Sequence, residues 1–246
     1  DGPGAWLWSL QEFVVRFRLY PLPREWAHAV ELAARYLAAL WQQPCYDCWE
    51  EHPAHVHIST LAAIYGGLRA AEKLVPALDF SATTEAIQAF VRTHGLTPGG
   101  ELAKWMGADA VDANLIAAAV PFGLLAPDDP IMERTIARIE RDLHAPDSGV
   151  HRYLGDVYYG GGAWVLLALW LAWYYAERGL TDRGKVLLAW AERQADEAGN
   201  LPEQVAPPML APDHYAPWVA QRGPIARPLL WSHAKYLLAR HALQTG

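Results

Sequence analysis

The sequence predicts an all-α protein that carries its chemistry on long loops. Three observations point there. Apolar residues recur at helical spacing through most of the 246 residues, prolines and glycines cluster between those segments, and no stretch alternates in the manner of a half-buried strand.

The periodicity places helices over roughly 4–19, 24–42, 57–75, 81–94, 110–120, 129–143, 162–178, 182–198 and 228–244. The second carries Trp26, Val30, Ala33, Leu37 and Leu40 on one face, and the third Leu61, Ile64, Leu68, Ala71 and Val75. Met132, Ile136, Ile139 and Leu143 repeat the spacing in the sixth, as do Leu230, Ala234 and Leu237 in the last. The breakers between them are YPLP at 20–23, TPGG at 97–100, APDDP at 126–130 and the run PEQVAPPMLAPDHYAP at 202–217. Loops 43–56, 145–161 and 199–227 are long, whereas 20–23 and 179–181 are short. Long loops in a compact domain are usually functional. Helix pairs with short turns at one end and long loops at the other suggest a toroid or solenoid with one functional face. No fixed-period repeat and no domain boundary stands out, so residues 1–246 are expected to form a single domain.

Composition removes several function classes. The net charge is −7, with no basic run longer than two residues, which excludes the electrostatic footprint of a nucleic-acid binder. The longest apolar stretch, Ala163 to Ala176, is too short for a membrane span and suits a buried helix. The opening DGPGAWLWSL has no signal-peptide character. Two neighbouring cysteines give no disulfide framework, which favours a cytoplasmic location without demanding it. Twelve tryptophans and eleven tyrosines fit either a large aromatic core or platforms for a flat, partly apolar ligand such as a sugar.

The segment CYDCWEEHPAHVH at 45–57 concentrates the chemistry. Cys45 and Cys48 have the spacing of half a zinc site, but His52, His55 and His57 follow too closely, and no second pair of cysteines appears. No metal and no cofactor is therefore expected. The alternative is acid chemistry. Glycoside cleavage needs one carboxylic acid to protonate the leaving oxygen and one carboxylate on the opposite sugar face, and an adjoining Trp favours the protonated form. Asp47, Glu50 and Glu51 flank Trp49. A second carboxylate, Glu203, stands in GNLPEQV, and a third loop, HRYLGDVYYGGGAW, adds Arg152 and Asp156 ahead of a triple glycine that lets backbone approach a ligand.

Taken together, YDCWEE, RYLGDVYYGGGAW, LPEQ followed by LLWSHA, and the opening DGPGAWLW resemble, in order and spacing, the glucoamylase family (family 15 glycoside hydrolases). Cys48 stands where the family often has Leu, and Ala163 where Pro is usual. The resemblance implies an (α/α)6 barrel with about nine of its twelve helices present. About three helices that precede the DGP segment in the family are expected to be missing, and with them an Arg-Asp pair that grips the non-reducing glucose.

The resemblance further implies that Glu50 is the general acid and Glu203 the general base of an inverting, exo-acting α-glucosidase that releases β-D-glucose. Glu51 and Arg152 match positions that hydrogen-bond sugar hydroxyls, Trp49 a pocket wall, and Asp47 an acidic position that supports the acid. Tyr158 and Trp164 fit either pocket wall or core. The implied partner is an oligosaccharide or other α-glucoside, with no nucleic acid and no membrane. An incomplete barrel would expose apolar faces on the first and last helices, through Trp6, Leu10, Phe17, Leu230, Ala234 and Leu237, and so leaves a homo-oligomer open and predicts weak catalysis by this chain alone. A non-catalytic helical interaction domain and a Cys/His metal protein remain the alternatives.

Overall fold

A computed structural model describes residues 1–145 and 147–245. The chain divides into two compact units, one formed by residues 1–109 and 117–126, the other by 110–116 and 127–246.

The first unit contains α1 (Gly2–Phe17), α2 (Arg24–Leu40), α3 (Ile58–Leu74) and α4 (Ser81–His94). Helix α3 is its centre and packs against the other three. Its sequence allows this because its polar stripe is narrow: only Tyr65, Arg69, Glu72 and Lys73 are not buried, while Ile58, Leu61, Ile64 and Leu68 with the intervening Ala and Gly are buried. Small residues also let α1 approach very closely. A Cβ placed on Gly67 would stand 2.6 Å from Gly4 Cα, so the two backbones meet at that pair. Helix α2 is amphipathic, burying Val30, Ala34 and Leu37 while Leu32 and Tyr36 face solvent. Helix α1 stops at Arg18, which takes the left-handed conformation (φ 54°), and α4 stops at Gly95.

The second unit contains α5 (Pro130–Leu143), α6 (Val165–Glu177), α7 (Thr181–Glu192), α8 (Tyr215–Arg222) and α9 (Leu230–Thr245), with strands β1 (Gly162–Trp164) and β2 (Gln204–Met209). Asp129 caps α5, its Oδ1 accepting the Ile131 N–H at 2.8 Å, and Pro130 occupies the first turn, where its missing N–H costs nothing. Ile131, Met132, Ile136, Ile139 and Leu143 then bury one stripe of that helix. Helix α6 is apolar on all sides and lies between α7 and α9. Strands β1 and β2 pair antiparallel, with Ala163 opposite Val205 and Trp164 opposite Gln204.

The sequence reading and the structure differ at four places. Residues 113–118 form a 3-10 helix where an α-helix over 110–120 is expected; the Asp112 side chain accepts the Asn114 N–H (2.9 Å), tightening the entry. Residues 162–164 are extended rather than helical. Gly160 and Gly161 take positive φ, and the Gly162 N–H donates to the Gln204 side chain at 2.9 Å, which recruits the segment into a sheet. Helix α7 ends at Glu192 rather than near 198, because Asp196 collects the N–H groups of Ala198 and Asn200 in a turn completed by Gly199 at φ 81°. Finally, the proline-rich run hides α8 and β2. No helix among the described residues is long and apolar enough to cross a membrane.

Candidate active site

In the first unit, the segment before α3 is wound around one buried carboxylate. Asp47 Oδ1 accepts the backbone N–H groups of Trp49 (3.0 Å) and Glu51 (3.2 Å), and the Asp47 carbonyl accepts that of Glu50 (3.0 Å). Asp47 Oδ2 lies 3.7 Å from His57 Nδ1, with neither side chain exposed to solvent. His57 Nε2 donates to the His52 carbonyl at 3.0 Å. The segment is fixed from outside by an antiparallel bridge between His57 and Trp105, with the Met106 N–H on the Val56 carbonyl at 2.9 Å. Within this frame Trp49 is buried, Glu51 is half-buried and Glu50 is exposed. Glu50 (φ 59°) and His52 (φ 52°) both sit in the left-handed region. Holding a non-glycine residue there costs about 1–3 kcal/mol, a strain that persists only where surrounding bonds dictate it.

The second unit assembles the other group. Arg152 is 3% exposed and forms a two-pronged pair with the fully buried Asp156, Nε donating to Oδ2 at 2.8 Å and Nη2 to Oδ1 at 2.5 Å. Its guanidinium lies 5.2 Å from the ring centres of both Tyr158 and Trp164 and 5.4 Å from that of Tyr153. Asp156 also accepts the Tyr158 N–H at 2.9 Å. Glu203 is half-buried, and its backbone is pinned on both sides: its N–H donates to the Ala226 carbonyl (3.0 Å) and its carbonyl accepts the Val165 N–H (3.2 Å). Its Oε2 is buried and has no hydrogen-bond partner among the described residues. Burial raises the Glu203 pKa above the usual carboxylate range; the Tyr158 hydroxyl and Arg152 act in the opposite direction. Burial first, and then the charge of Glu203, push the Tyr158 phenol up to about 12. Tyr158 is therefore a neutral hydrogen-bond donor toward Glu203 at ordinary pH.

The structure thus gathers Asp47, Trp49, Glu50 and Glu51 on one segment of the first unit, and Arg152, Asp156, Tyr158, Trp164 and Glu203 in the second. Sequence reasoning missed the part His57 plays under the first group. It also missed the aromatic cover of the second, where Trp218 of α8 stands 4.9 Å from Tyr158 and 5.8 Å from Tyr159, centre to centre. One of three closely spaced histidines, and a Trp just after a proline-rich run, carry no pattern that would have signalled either role.

The histidines also find a packing role. His55 stacks on Trp105 (4.4 Å, 11°), while His52 and His57 approach the same ring at 5.0 and 5.9 Å. Cys45 and Cys48 are not joined in a disulfide. Among the described residues, no group of three or more His, Cys, Asp or Glu is placed to hold a metal ion.

With this geometry in view, the comparisons identify the class. The family model for glycosyl hydrolases family 15 matches residues 1–193, and the chain belongs to that family. It is 45% identical over 243 residues to the isomaltose glucohydrolase of Kribbella flavida, a match that covers 97% of this chain and 62% of that protein. Two solved glycosidase structures, each with a different glutamate replaced by alanine and the second in complex with glucose, match at 43% identity and a TM-score of 0.92, covering 99% of this chain and 66% of theirs. The glucoamylase of Hypocrea jecorina shares the fold at 16% identity and a TM-score of 0.72, over 99% of this chain and 52% of its own. The fold is that of the (α/α)6-barrel enzymes, and the helices described here are a part of it.

Proposed function

We propose that this chain belongs to an inverting, exo-acting α-glucosidase, with Glu50 as general acid and Glu203 as general base in one catalytic domain. The observation that carries the reading is Glu203 itself: a pinned, half-buried carboxylate beside the Tyr158 phenol, with its Oε2 buried without a hydrogen-bond partner among the described residues. A base that must take a proton from water needs such an open oxygen, and its raised pKa brings its proton affinity closer to working pH. Two further facts support the pairing. Glu50 is the exposed carboxylate on a strained, tightly bonded segment. The two glutamates replaced in the similar glycosidase structures are also separated by nearly the interval between Glu50 and Glu203.

In this mechanism Glu50 gives its proton to the glycosidic oxygen as that bond breaks. Glu203 takes a proton from water, whose oxygen attacks the anomeric carbon from the opposite face and yields β-D-glucose. Admitting that water requires the two carboxyl groups to stand roughly 6.5–9.5 Å apart. Arg152, Tyr158, Trp49 and Glu51 are the proposed contacts for the sugar. Asp47, whose side chain is buried against its own loop, shapes that loop rather than touching sugar. The substrate class is a short α-glucoside, and the likeness to an isomaltose glucohydrolase favours an α-1,6 linkage over maltose or trehalose.

The test is the first-formed anomer. With isomaltose as substrate, proton NMR in the first seconds of turnover should show β-glucose ahead of mutarotation. First-formed α-glucose, or carboxyl groups more than about 12 Å apart in a crystal structure of the full chain, would remove the assignment.

A further inference from the structure

His57 is a buried titratable residue that the mechanism above does not use, yet the acid-bearing segment closes on it. It stands at the N-cap position of α3 but forms no side-chain cap there. Its ring instead faces back along the loop. Nε2 lies 3.0 Å from the His52 carbonyl, and Nδ1 lies 3.7 Å from Asp47 Oδ2. A carbonyl oxygen can only accept, so Nε2 carries a proton. The 3.7 Å to Asp47 Oδ2 is an ion-pair separation rather than a hydrogen bond; a neutral ring would turn the Nδ1 lone pair toward that carboxylate, whereas the imidazolium form is attracted to it. The same carboxylate holds the N–H groups of Trp49 and Glu51, the residues on either side of Glu50. The second ring nitrogen holds the carbonyl of His52, one of the two residues kept at positive φ.

We propose that His57 is a positioning residue: as a doubly protonated ring it ties Asp47 to the His52 carbonyl and so fixes the strained turn that aims Glu50. The inference rests on Glu50 being the proton donor. His57 touches no reacting atom. It acts through Asp47 and the backbone, in the way that an outer partner orients an active group. Misplacing a catalytic group by about 1 Å is worth up to a hundredfold in rate.

The experiment compares two substrates in the full chain. Isomaltose needs its leaving oxygen protonated, whereas α-glucosyl fluoride does not. His57→Asn and Asp47→Asn should each lower kcat on isomaltose by roughly tenfold to a hundredfold, leave KM nearly unchanged, and spare fluoride hydrolysis. Glu50→Gln is assayed beside them. Equal losses on both substrates for His57→Asn would reduce His57 to a structural residue, and no loss on either would overturn the inference, in both cases with Glu50 still shown as the acid by its own selective loss. If Glu50→Gln shows no selectivity, the acid assignment fails first and takes this inference with it. A readout independent of turnover and of variant folding is 15N NMR of the unsubstituted chain. Two ring protons on His57 at neutral pH are expected, and a neutral ring would refute the proposal.

Discussion

Replacing Tyr158 by Phe removes one hydroxyl while keeping the ring that packs on Arg152, Trp164 and Trp218. That hydroxyl is the largest of the influences lowering the pKa of Glu203 against the burial that raises it. Without it burial acts less opposed, and the Glu203 pKa moves further up. Because a general base works only when ionised, the proposed role of Glu203 predicts that the acid limb of the kcat/KM profile shifts to higher pH. A hydrogen bond to a charged group contributes about 1.5–3 kcal/mol net. Glu203 is only half-buried, so the lower end applies, and at a pH below the limb the variant should lose roughly tenfold in kcat/KM. Well above the limb, where both forms are ionised, the loss should be smaller. Stability follows the same sign. A carboxyl raised in the folded state contributes stability that is present below its unfolded pKa and lost as pH rises through its folded pKa. Tyr158→Phe strengthens that dependence, so its destabilisation should be larger at neutral than at acid pH. The measurements are kcat/KM across the acid limb and urea melts at two pH values. A limb that stays in place, or moves to lower pH, would refute the coupling between Tyr158 and Glu203.

Three further outcomes follow from packing and charge. Gly67→Ala drives a methyl against the Gly4 backbone, with 2.6 Å to Gly4 Cα. Neither helix can swing aside, so thermal denaturation should show a loss of about 1–3 kcal/mol or more, at roughly 2–4 °C per kcal/mol. Asp156→Ala takes the two-pronged partner from an Arg that is 3% exposed, and should cost about 3–5 kcal/mol in a urea melt as well as loosening Tyr158. A polypeptide of just these 246 residues presents Trp6 at 43% and Phe17 at 65% exposure on α1, and Leu230 at 82% and Leu237 at 65% on α9; it should associate in sedimentation runs and hydrolyse isomaltose weakly.

Much of the fold was legible because it rests on local periodicity. Helix α5 could be read from the spacing of Met132, Ile136, Ile139 and Leu143, which the structure buries on one stripe. Helix α3 could be placed from its apolar content alone. What escaped was set by contacts distant in sequence. Residues 162–164 have a helix-like composition, yet they pair with residues 204–209, and no local propensity encodes a partner some forty positions away. Helix α8 begins at the end of a run whose prolines argue against any helix, and its docking on Tyr158 and Tyr159 through Trp218 is again a long-range contact.

The candidate site divides along the same line, and the division has a chemical reason. Glu50, Glu203 and Arg152, the residues proposed for proton transfer and sugar binding, are legible because such roles need particular side-chain types, and those types leave motifs. The groups that set their behaviour leave none. By sequence Asp47 is only an acidic position that the resemblance places in support of the acid, until its carboxylate is seen collecting the Trp49 and Glu51 N–H groups; His57 is only one of three closely spaced histidines weighed for a metal, until its ring nitrogens are traced to the loop. Tyr158 could be pocket or core by sequence; its hydroxyl beside Glu203 decides that it tunes a carboxylate. Orientation and pKa depend on distances of 3–4 Å, which several residue types can supply and which no local sequence pattern encodes. A motif search therefore finds the groups proposed to react. The groups that aim and tune them have to be found by asking where each buried polar atom spends its hydrogen bonds.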